Sequence, residues 1–213
     1  MVWVMGDSYS GHFQGLMVQL HEDYGVGFHL VETPGHAFPD VTSDTPYEGR
    51  RKLYAEVKKQ LSAGDTVFLA RLFLTREDPV APLHDVEKWL LAFEDYAAEM
   101  QAMNVQVIIA APTPMYQFAD IRSCVRADPA SCATPRAGLE GPVRQIEARL
   151  DAIAARHDNV RVLKLFDLLC PAGQPMCSPK LGNIFTMRDK DHLTLFGAVQ
   201  AKPQMLRFLG PPA

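Results

Sequence analysis

Residues 4–12 read Val4-Met-Gly-Asp-Ser-Tyr-Ser-Gly-His12, and they join an apolar run that starts at Val2 to a segment with apolar residues at helical spacing. This order of patterns predicts a buried strand, a sharp turn and a helix. Ser8 would then stand at the N-terminal end of the helix, beside backbone N–H groups that have no intrahelical partner. A nucleophilic serine needs that position, although a serine that only caps the helix would give the same pattern.

A second candidate segment, Arg188-Asp-Lys-Asp-His-Leu-Thr194, lies near the other end of the chain. Asp189 and His192 are three residues apart, so the carboxylate can reach the imidazole across one turn. It would hold the ring in one tautomer and stabilise its cation, as the acid of a serine triad does. Together with Ser8, the pair predicts acyl transfer through a covalent serine ester. A capped helix start with a surface histidine is the alternative.

Apolar runs and amphipathic stretches alternate along the chain. Strands are predicted at residues 2–5, 26–31, 66–70, 105–110 and 160–164. Helices are predicted at residues 11–22, 46–61, 82–103, 142–157 and 193–209. This alternation with short connections predicts an α/β sandwich with a parallel sheet. Two connections, 72–81 and 113–141, are long and leave the carboxyl ends of strands, where open parallel sheets bind ligands.

The composition is that of a globular protein, with 47% hydrophobic and 22% charged residues in a chain of 213. That length fits one domain over residues 1–213. The net charge of −4 and the lack of a basic stripe argue against nucleic-acid binding. No apolar run reaches the length of a membrane span, and no signal peptide precedes the first strand. The chain is therefore expected to be either cytosolic or a domain of a larger secreted or membrane-anchored protein.

The four cysteines form two local pairs, Cys124 with Cys132 and Cys170 with Cys177. Four cysteines allow three connectivities, and sequence proximity favours these two bridges. A zinc site is the rival interpretation, but the spacing within each pair exceeds the usual spacing of zinc ligands. Two small disulfide loops would place the protein in an oxidising compartment.

The two serine-triad segments resemble sequence blocks of the SGNH/GDSL hydrolase family. Gly6-Asp7-Ser8 is similar to its first block, and Asp189-x-x-His192 is similar to its last. The likeness is greatest to the periplasmic SGNH domains that are fused to membrane acyltransferase-3 proteins. In that branch the late motif is much like DKDHLTLFGA at residues 189–198, and cysteines precede it as Cys170 and Cys177 do here.

This resemblance implies a three-layer α/β/α sandwich around a central parallel sheet of about five strands. It also implies an O-acyltransferase domain, with acetyl as the transferred group, that modifies a cell-surface glycan. A membrane acyltransferase domain of the same chain would deliver the acyl group, so the protein would be periplasmic and membrane-anchored, without cofactor or metal. A free-standing carbohydrate or lipid esterase with the same triad is the alternative, and a non-catalytic glycan-binding module is the second.

Two further residues are candidates for the oxyanion site. Gly35, after the second strand, matches the glycine of the family's second block, but a plain turn glycine is equally compatible with the pattern. The third block has an Asn donor in most of the family, whereas residues 70–73 here read Ala-Arg-Leu-Phe. Arg71 is therefore expected to supply charge to the oxyanion or to the bound sugar, unless it only snorkels from the strand end. The missing Asn favours transfer over independent hydrolysis.

Other polar residues near these motifs have less specific expectations. Asp7 is expected to cap the helix or orient the turn, and His12 and His36 are candidate substrate contacts. Asp191 is expected to pair with a nearby Lys or Arg or to face solvent. A metal site made of Asp7, Asp189, Asp191 and His192 has no supporting ligand spacing.

Overall fold

The computed structural model describes residues 1–40, 48–77, 80–126 and 129–210. The predicted start of the second helix, at Pro46, lies outside these residues. The elements are, in chain order, β1 (Val2–Gly6), α1 (Ser8–Gly11), α2 (Gln14–Tyr24), β2 (Phe28–Glu32), α3 (Glu48–Gln60), β3 (Thr66–Ala70), α4 (Val86–Ala102), β4 (Gln106–Ala110), α5 (Ile121–Arg126), a 3₁₀ helix (Pro129–Cys132), β5 (Thr134–Pro135), α6 (Arg136–Ala154), β6 (Val160–Leu163), α7 (Phe166–Leu169), β7 (Met176–Cys177), β8 (Lys180–Leu181), β9 (Ile184–Phe185), α8 (Leu195–Val199) and α9 (Lys202–Leu209). None of the helices in the described ranges is long and apolar enough to cross a bilayer.

The five predicted strands form one parallel sheet in the order β2-β1-β3-β4-β6. The chain moves one way from β1 to β2 and the opposite way from β2 through β6. Because parallel crossovers are right-handed, a change of direction puts the connecting helices on the opposite face of the sheet. The sheet is therefore covered on both faces, and the expected three-layer α/β/α sandwich is confirmed. Ligand sites of such sheets lie where the direction changes, which here is the carboxyl end of β1.

Several helices differ from their predicted limits. In place of one helix at 11–22 there are two, α1 and α2, and the first begins at Ser8. Residues 193–209 hold α8 and α9, with Pro203 in the first turn of α9, and α4 begins at Val86 rather than at residue 82. Helix α6 begins at Arg136, so the prediction that it starts at Pro142 is wrong. Pro142 lies inside the helix, where it cannot donate a backbone hydrogen bond. Arg136 anchors this end of the helix: its guanidinium donates to Glu140 within the helix at 2.9 Å and to Asp167 at 2.7 Å, and the second is a tertiary contact that local sequence does not reveal.

Gly6 fixes how closely β1 and β3 approach each other at the candidate site. Its φ is +146°, and a Cβ at this position would lie 1.9 Å from the carbonyl oxygen of Ala70. Only glycine fits both the conformation and the space. The chain therefore turns sharply after β1 and delivers Asp7 and Ser8 to the edge of the sheet.

Both predicted disulfides are confirmed. Cys124 pairs with Cys132 and Cys170 with Cys177, with Cα–Cα distances of 5.8 and 4.8 Å. The second bridge lies beside a short antiparallel pairing of β5 with β7, which the sequence patterns did not predict. Each disulfide closes a short loop, with the two cysteines eight positions apart in the first and seven in the second.

Candidate active site

Ser8, His192 and Asp189 lie in one hydrogen-bonded row at the carboxyl edge of the sheet. Ser8 Oγ is 3.2 Å from His192 Nε2, and His192 Nδ1 is 2.9 Å from Asp189 Oδ1. Because Nδ1 faces a carboxylate, it carries the ring proton, which leaves Nε2 free to accept the proton of Ser8. The row has the geometry of a nucleophile, a general base and an orienting acid.

Asp189 is held as a carboxylate by its surroundings. Burial acts to raise its pKa, but the backbone N–H groups of Asp191 and His192 and the His192 ring outweigh burial, so the pKa of Asp189 lies below its usual value. One oxygen, Oδ1, accepts from both backbone N–H groups, at 3.1 and 2.8 Å, and faces the ring as well. An ionised Asp189 can therefore orient His192 and stabilise its cation.

Asp7, rather than Ser8, caps helix α1. Its carboxylate accepts from the backbone N–H of Tyr9 and from that of Leu72, both at 2.9 Å. This confirms the expectation that Asp7 caps the helix and orients the turn. Ser8 is then the first residue of α1, where its own backbone N–H has no intrahelical acceptor and can serve an oxyanion.

Gly35 lies in a tight turn after β2. The His36 N–H donates to the carbonyl oxygen of Thr33 at 3.0 Å, and the φ of Gly35 is +77°. A turn of this shape requires positive φ at its third residue, which explains a glycine without any catalytic role. Gly35 is not among the residues that line the cleft beside Ser8.

Arg71 points into the protein. Its side chain is buried, with Nε donating to the Leu72 carbonyl oxygen at 2.8 Å and Nη2 to Asp85 at 2.9 Å. The guanidinium carbon lies 4.9 Å from the ring centre of Trp89 and 5.3 Å from that of Phe73. Arg71 therefore does not snorkel to solvent, and its contacts give no support to the predicted role at the oxyanion or the sugar.

Arg71→Lys is expected to lower the free energy of unfolding by about 1–3 kcal/mol, because an ammonium cannot keep both hydrogen bonds and the stacked position of the planar group. Thermal unfolding and hydrolysis of an activated ester, measured on the same two proteins, check this. A tenfold or greater loss of activity at unchanged melting temperature would instead restore the oxyanion role, since the fall would then be in catalysis alone.

A second polar cluster, made of Asp191, Tyr9 and Arg76, lies beside His192. Asp191 is buried and accepts from Tyr9 Oη at 3.2 Å and from Arg76 Nε at 2.7 Å. Its other oxygen is 3.5 Å from His192 Nδ1. The expected pairing of Asp191 with an arginine is confirmed, and its partner comes from the long connection after β3. Burial and the neighbouring Asp191 raise the pKa of Tyr9 well above its usual value, so its hydroxyl stays a donor.

The long connection after β4 fixes the backbone that carries Asp189. The N–H of Tyr116 donates to the Lys190 carbonyl oxygen at 2.8 Å, and the N–H of Ile121 donates to that of Arg188 at 2.9 Å. The two bonds hold residues 188–190 on both sides of Asp189. In the sequence, only the unusual length of this connection indicated that it has a functional role.

The Asp189, Asp191 and His192 side chains offer three ligand atoms within 4.8 Å of one another. All three groups already have protein partners, since Arg76 binds Asp191 and Ser8 contacts His192. A cation there would be repelled by the charge of Arg76 and would compete with the Arg76–Asp191 and Ser8–His192 contacts. The arrangement fits proton transfer better than metal binding, and Asp7 is not a member of this cluster.

Comparison with known proteins places the chain in a family. A family model described as the SGNH domain fused to AT3 domains matches residues 1–207. The periplasmic domain of the lipopolysaccharide acetyltransferase of Salmonella ser. Paratyphi A has a TM-score of 0.68 at 14% identity, covering 97% of this chain and 82% of its own. An acetyl xylan esterase, AlAXEase, has a TM-score of 0.56 at 13% identity, covering 97% of both chains. A putative SGNH hydrolase from Slackia heliotrinireducens has a TM-score of 0.56 at 13% identity, covering 98% of both. No curated protein matches the chain in sequence.

At such low identity the solved structures establish the fold alone, whereas the family model spans nearly the whole chain. It includes the Gly6-Asp7-Ser8 turn at one end and the Asp189–His192 pair at the other, the two segments that meet at the edge of the sheet. The chain therefore belongs to the family of SGNH domains that are fused to AT3, the acyltransferase-3 domains.

Proposed function

We propose that this chain is an O-acyltransferase domain that modifies a cell-surface glycan through an acyl ester on Ser8. The observation that carries the proposal is the contact row of Ser8, His192 and Asp189, with distances of 3.2 and 2.9 Å. Two structural neighbours, a lipopolysaccharide acetyltransferase and an acetyl xylan esterase, are named for acetyl chemistry, which supports acetyl as the group.

The reaction has two halves that share one proton carrier. Ser8 Oγ attacks the carbonyl carbon of the acyl donor while His192 Nε2 takes the serine proton and gives it to the leaving group. In the second half a glycan hydroxyl attacks the ester, His192 takes its proton, and the proton returns to Ser8 Oγ as the ester bond to serine breaks. The Ser8 backbone N–H stabilises both oxyanions, with Gly35 as the candidate second donor.

The family description supports a particular source for the acyl group. Family members are fused to AT3 domains, so a membrane acyltransferase domain of the same chain would deliver the acyl group to Ser8. Two disulfides fit an oxidising, extracytoplasmic location such as the periplasm. In this arrangement the full-length protein is membrane-anchored.

Acetyl transfer from p-nitrophenyl acetate to fragments of bacterial surface polysaccharides tests the proposal. We expect release of p-nitrophenol by the wild type and acetyl esters on at least one polysaccharide, detected by mass spectrometry. Release of acetate alone with every acceptor would identify an esterase instead. Release no faster than that of Ser8→Ala would contradict catalysis by Ser8 and favour the non-catalytic alternative.

A further inference from the structure

A cleft of about 660 Å³ opens beside Ser8 and His192. One wall is formed by residues of α1 and α2, and the other by Arg188, His192, Leu193 and Leu195. Because Ser8 lies at its edge, a group bound in this cleft can reach the ester that Ser8 would carry.

His12 forms part of the cleft wall and is the least usual residue there. Its side chain is buried, with 8% of the residue exposed, and neither ring nitrogen has a hydrogen-bond partner in the described part of the chain. Burial and the neighbouring charge of His192 lower the pKa of His12 to about 3, so the ring is neutral and offers one donor and one acceptor. A buried polar group without a partner is destabilising, and an apolar ring would fill the same space without that cost.

The position of the His12 ring fits contact with a ligand. The ring centre lies 4.8 Å from that of His192 and 4.5 Å from that of Tyr9. Neither nitrogen is exposed to water, so a bond to a ligand requires the ring to turn slightly toward the cleft. Such a turn breaks no existing hydrogen bond at its nitrogens, because they have none to break.

The charge of the cleft disfavours an anionic ligand. Glu22 and Glu32 line it, and neither has a salt-bridge partner among the described residues. Glu32 reaches across α1 because residue 11 is glycine: a Cβ there would lie 2.6 Å from Glu32 Oε2. Arg188 is the one arginine among the described residues that line the cleft, and its Nε lies 3.6 Å from Asp189 Oδ2, so its charge is shared with that carboxylate. Carboxylates of this kind accept hydrogen bonds from hydroxyl groups and repel other carboxylates.

An apolar strip completes the cleft. Leu195 is 58% exposed and Val18 is 38% exposed, although both lie within the concave surface. Leu195 rests on residue 15, where glycine leaves the space: a Cβ would be 1.9 Å from Leu195 Cδ1. Sites for small organic ligands typically combine an apolar surface with a few polar groups in fixed positions. The C–H face of a sugar ring can pack on such an apolar strip.

We propose that this cleft is the acceptor subsite and that it takes an uncharged sugar in preference to an acidic one, with His12 hydrogen bonding a sugar hydroxyl. The assignment rests on the proposed function, because it supplies the acceptor for the acyl group. The two glutamates set the charge preference, and the Leu195–Val18 strip supports the ring.

Binding to the Ser8→Ala protein tests the subsite without any reaction. The probes are a neutral glucose oligosaccharide and an oligogalacturonate of equal length, titrated against the protein by NMR. We expect the neutral probe to bind at least about tenfold more tightly, because each acidic ring meets unpaired carboxylates at short range. In a Glu22→Gln/Glu32→Gln protein the preference should fall to within about threefold. Equal or tighter binding of the acidic probe by the parent protein would overturn the proposal.

Substitutions at His12 test the hydrogen bond in the same background. His12→Phe should weaken binding of the neutral probe by about five- to tenfold, and His12→Asn, which restores a donor and an acceptor, should recover most of it. Tyr96→Phe, in a separate cavity lined by α3 and α4, is the control and should bind as the parent does. Equal binding by the parent and His12→Phe would show that the ring only fills space. Ser8 acylation by p-nitrophenyl acetate in the wild type tests the proposed function separately, because no sugar is present.

Discussion

Ser8→Ala is expected to abolish formation of an acyl-enzyme and to lower turnover of an activated ester by a factor on the order of 10⁴ or more. The reason is that His192 and Asp189 can only relay a proton, whereas Ser8 Oγ is the atom that would form the ester. The fold should persist, because His192 is the one hydrogen-bond partner of the Ser8 side chain among the described residues, and a single hydrogen bond contributes about 1 kcal/mol. Intact-mass spectrometry after incubation with p-nitrophenyl acetate, together with a thermal melt, measures both effects.

Ser10→Ala is the matched control for this experiment. Ser10 lies on the same short helix and is buried, but its hydroxyl donates to the Asp7 carbonyl oxygen at 2.8 Å. Its loss should affect stability by about 1 kcal/mol and leave acylation in place. Asp189→Asn should lower turnover less than Ser8→Ala, because in the proposed mechanism Asp189 would orient His192 without bonding to substrate. Unchanged turnover in Ser8→Ala would refute the assignment of Ser8 as nucleophile.

Arg76→Met is expected to lower the free energy of unfolding by about 2–4 kcal/mol, because it leaves Asp191 buried without its cation. The two nitrogens of Arg76 that bind this carboxylate lie 2.7 and 2.6 Å away. The Arg76 side chain is 41% exposed, so water screens the ion pair in part. The expected loss of stability is therefore set below the loss on breaking a fully buried pair. Turnover should fall as well, since an unpaired Asp191 would compete with Asp189 for His192 Nδ1. Chemical denaturation and ester hydrolysis measure the two effects.

A double-mutant cycle separates this pair from general damage. Asp191→Asn keeps an acceptor for the Tyr9 hydroxyl and removes the negative charge. In the Asp191→Asn protein, Arg76→Met should therefore lower the free energy of unfolding by at least about 1 kcal/mol less than it does in the wild type. The comparison pair is Arg149 with Glu87, which links α6 to α4 with side chains 48% and 66% exposed. Arg149→Met should change stability by less than about 1 kcal/mol. Additive effects of the Arg76 and Asp191 substitutions would contradict the buried-pair interpretation.

The sequence by itself determined the elements whose causes are local. The apolar run and Gly6-Asp7-Ser8 predicted β1 and the turn, and the observed strand is Val2–Gly6. The spacing of Asp189 and His192 predicted a contact that a single turn can make, and their side chains lie 2.9 Å apart. Both disulfides follow from sequence proximity, because short loops bring their cysteines together. In each case neighbours along the chain fix the geometry.

The tertiary structure alone decided which distant groups meet. Ser8 and His192 are 184 residues apart, and Arg76 and Asp191 are 115 apart. The motif resemblance anticipated the first pair, but nothing in the sequence marked Arg76 or showed that Arg71 turns inward toward Asp85 and Trp89. Nor did the sequence indicate that His12 is buried with neither ring nitrogen hydrogen bonded among the described residues. Such contacts depend on strand order and on the paths of the long connections, whereas hydrophobic periodicity reports only which face of each element is buried.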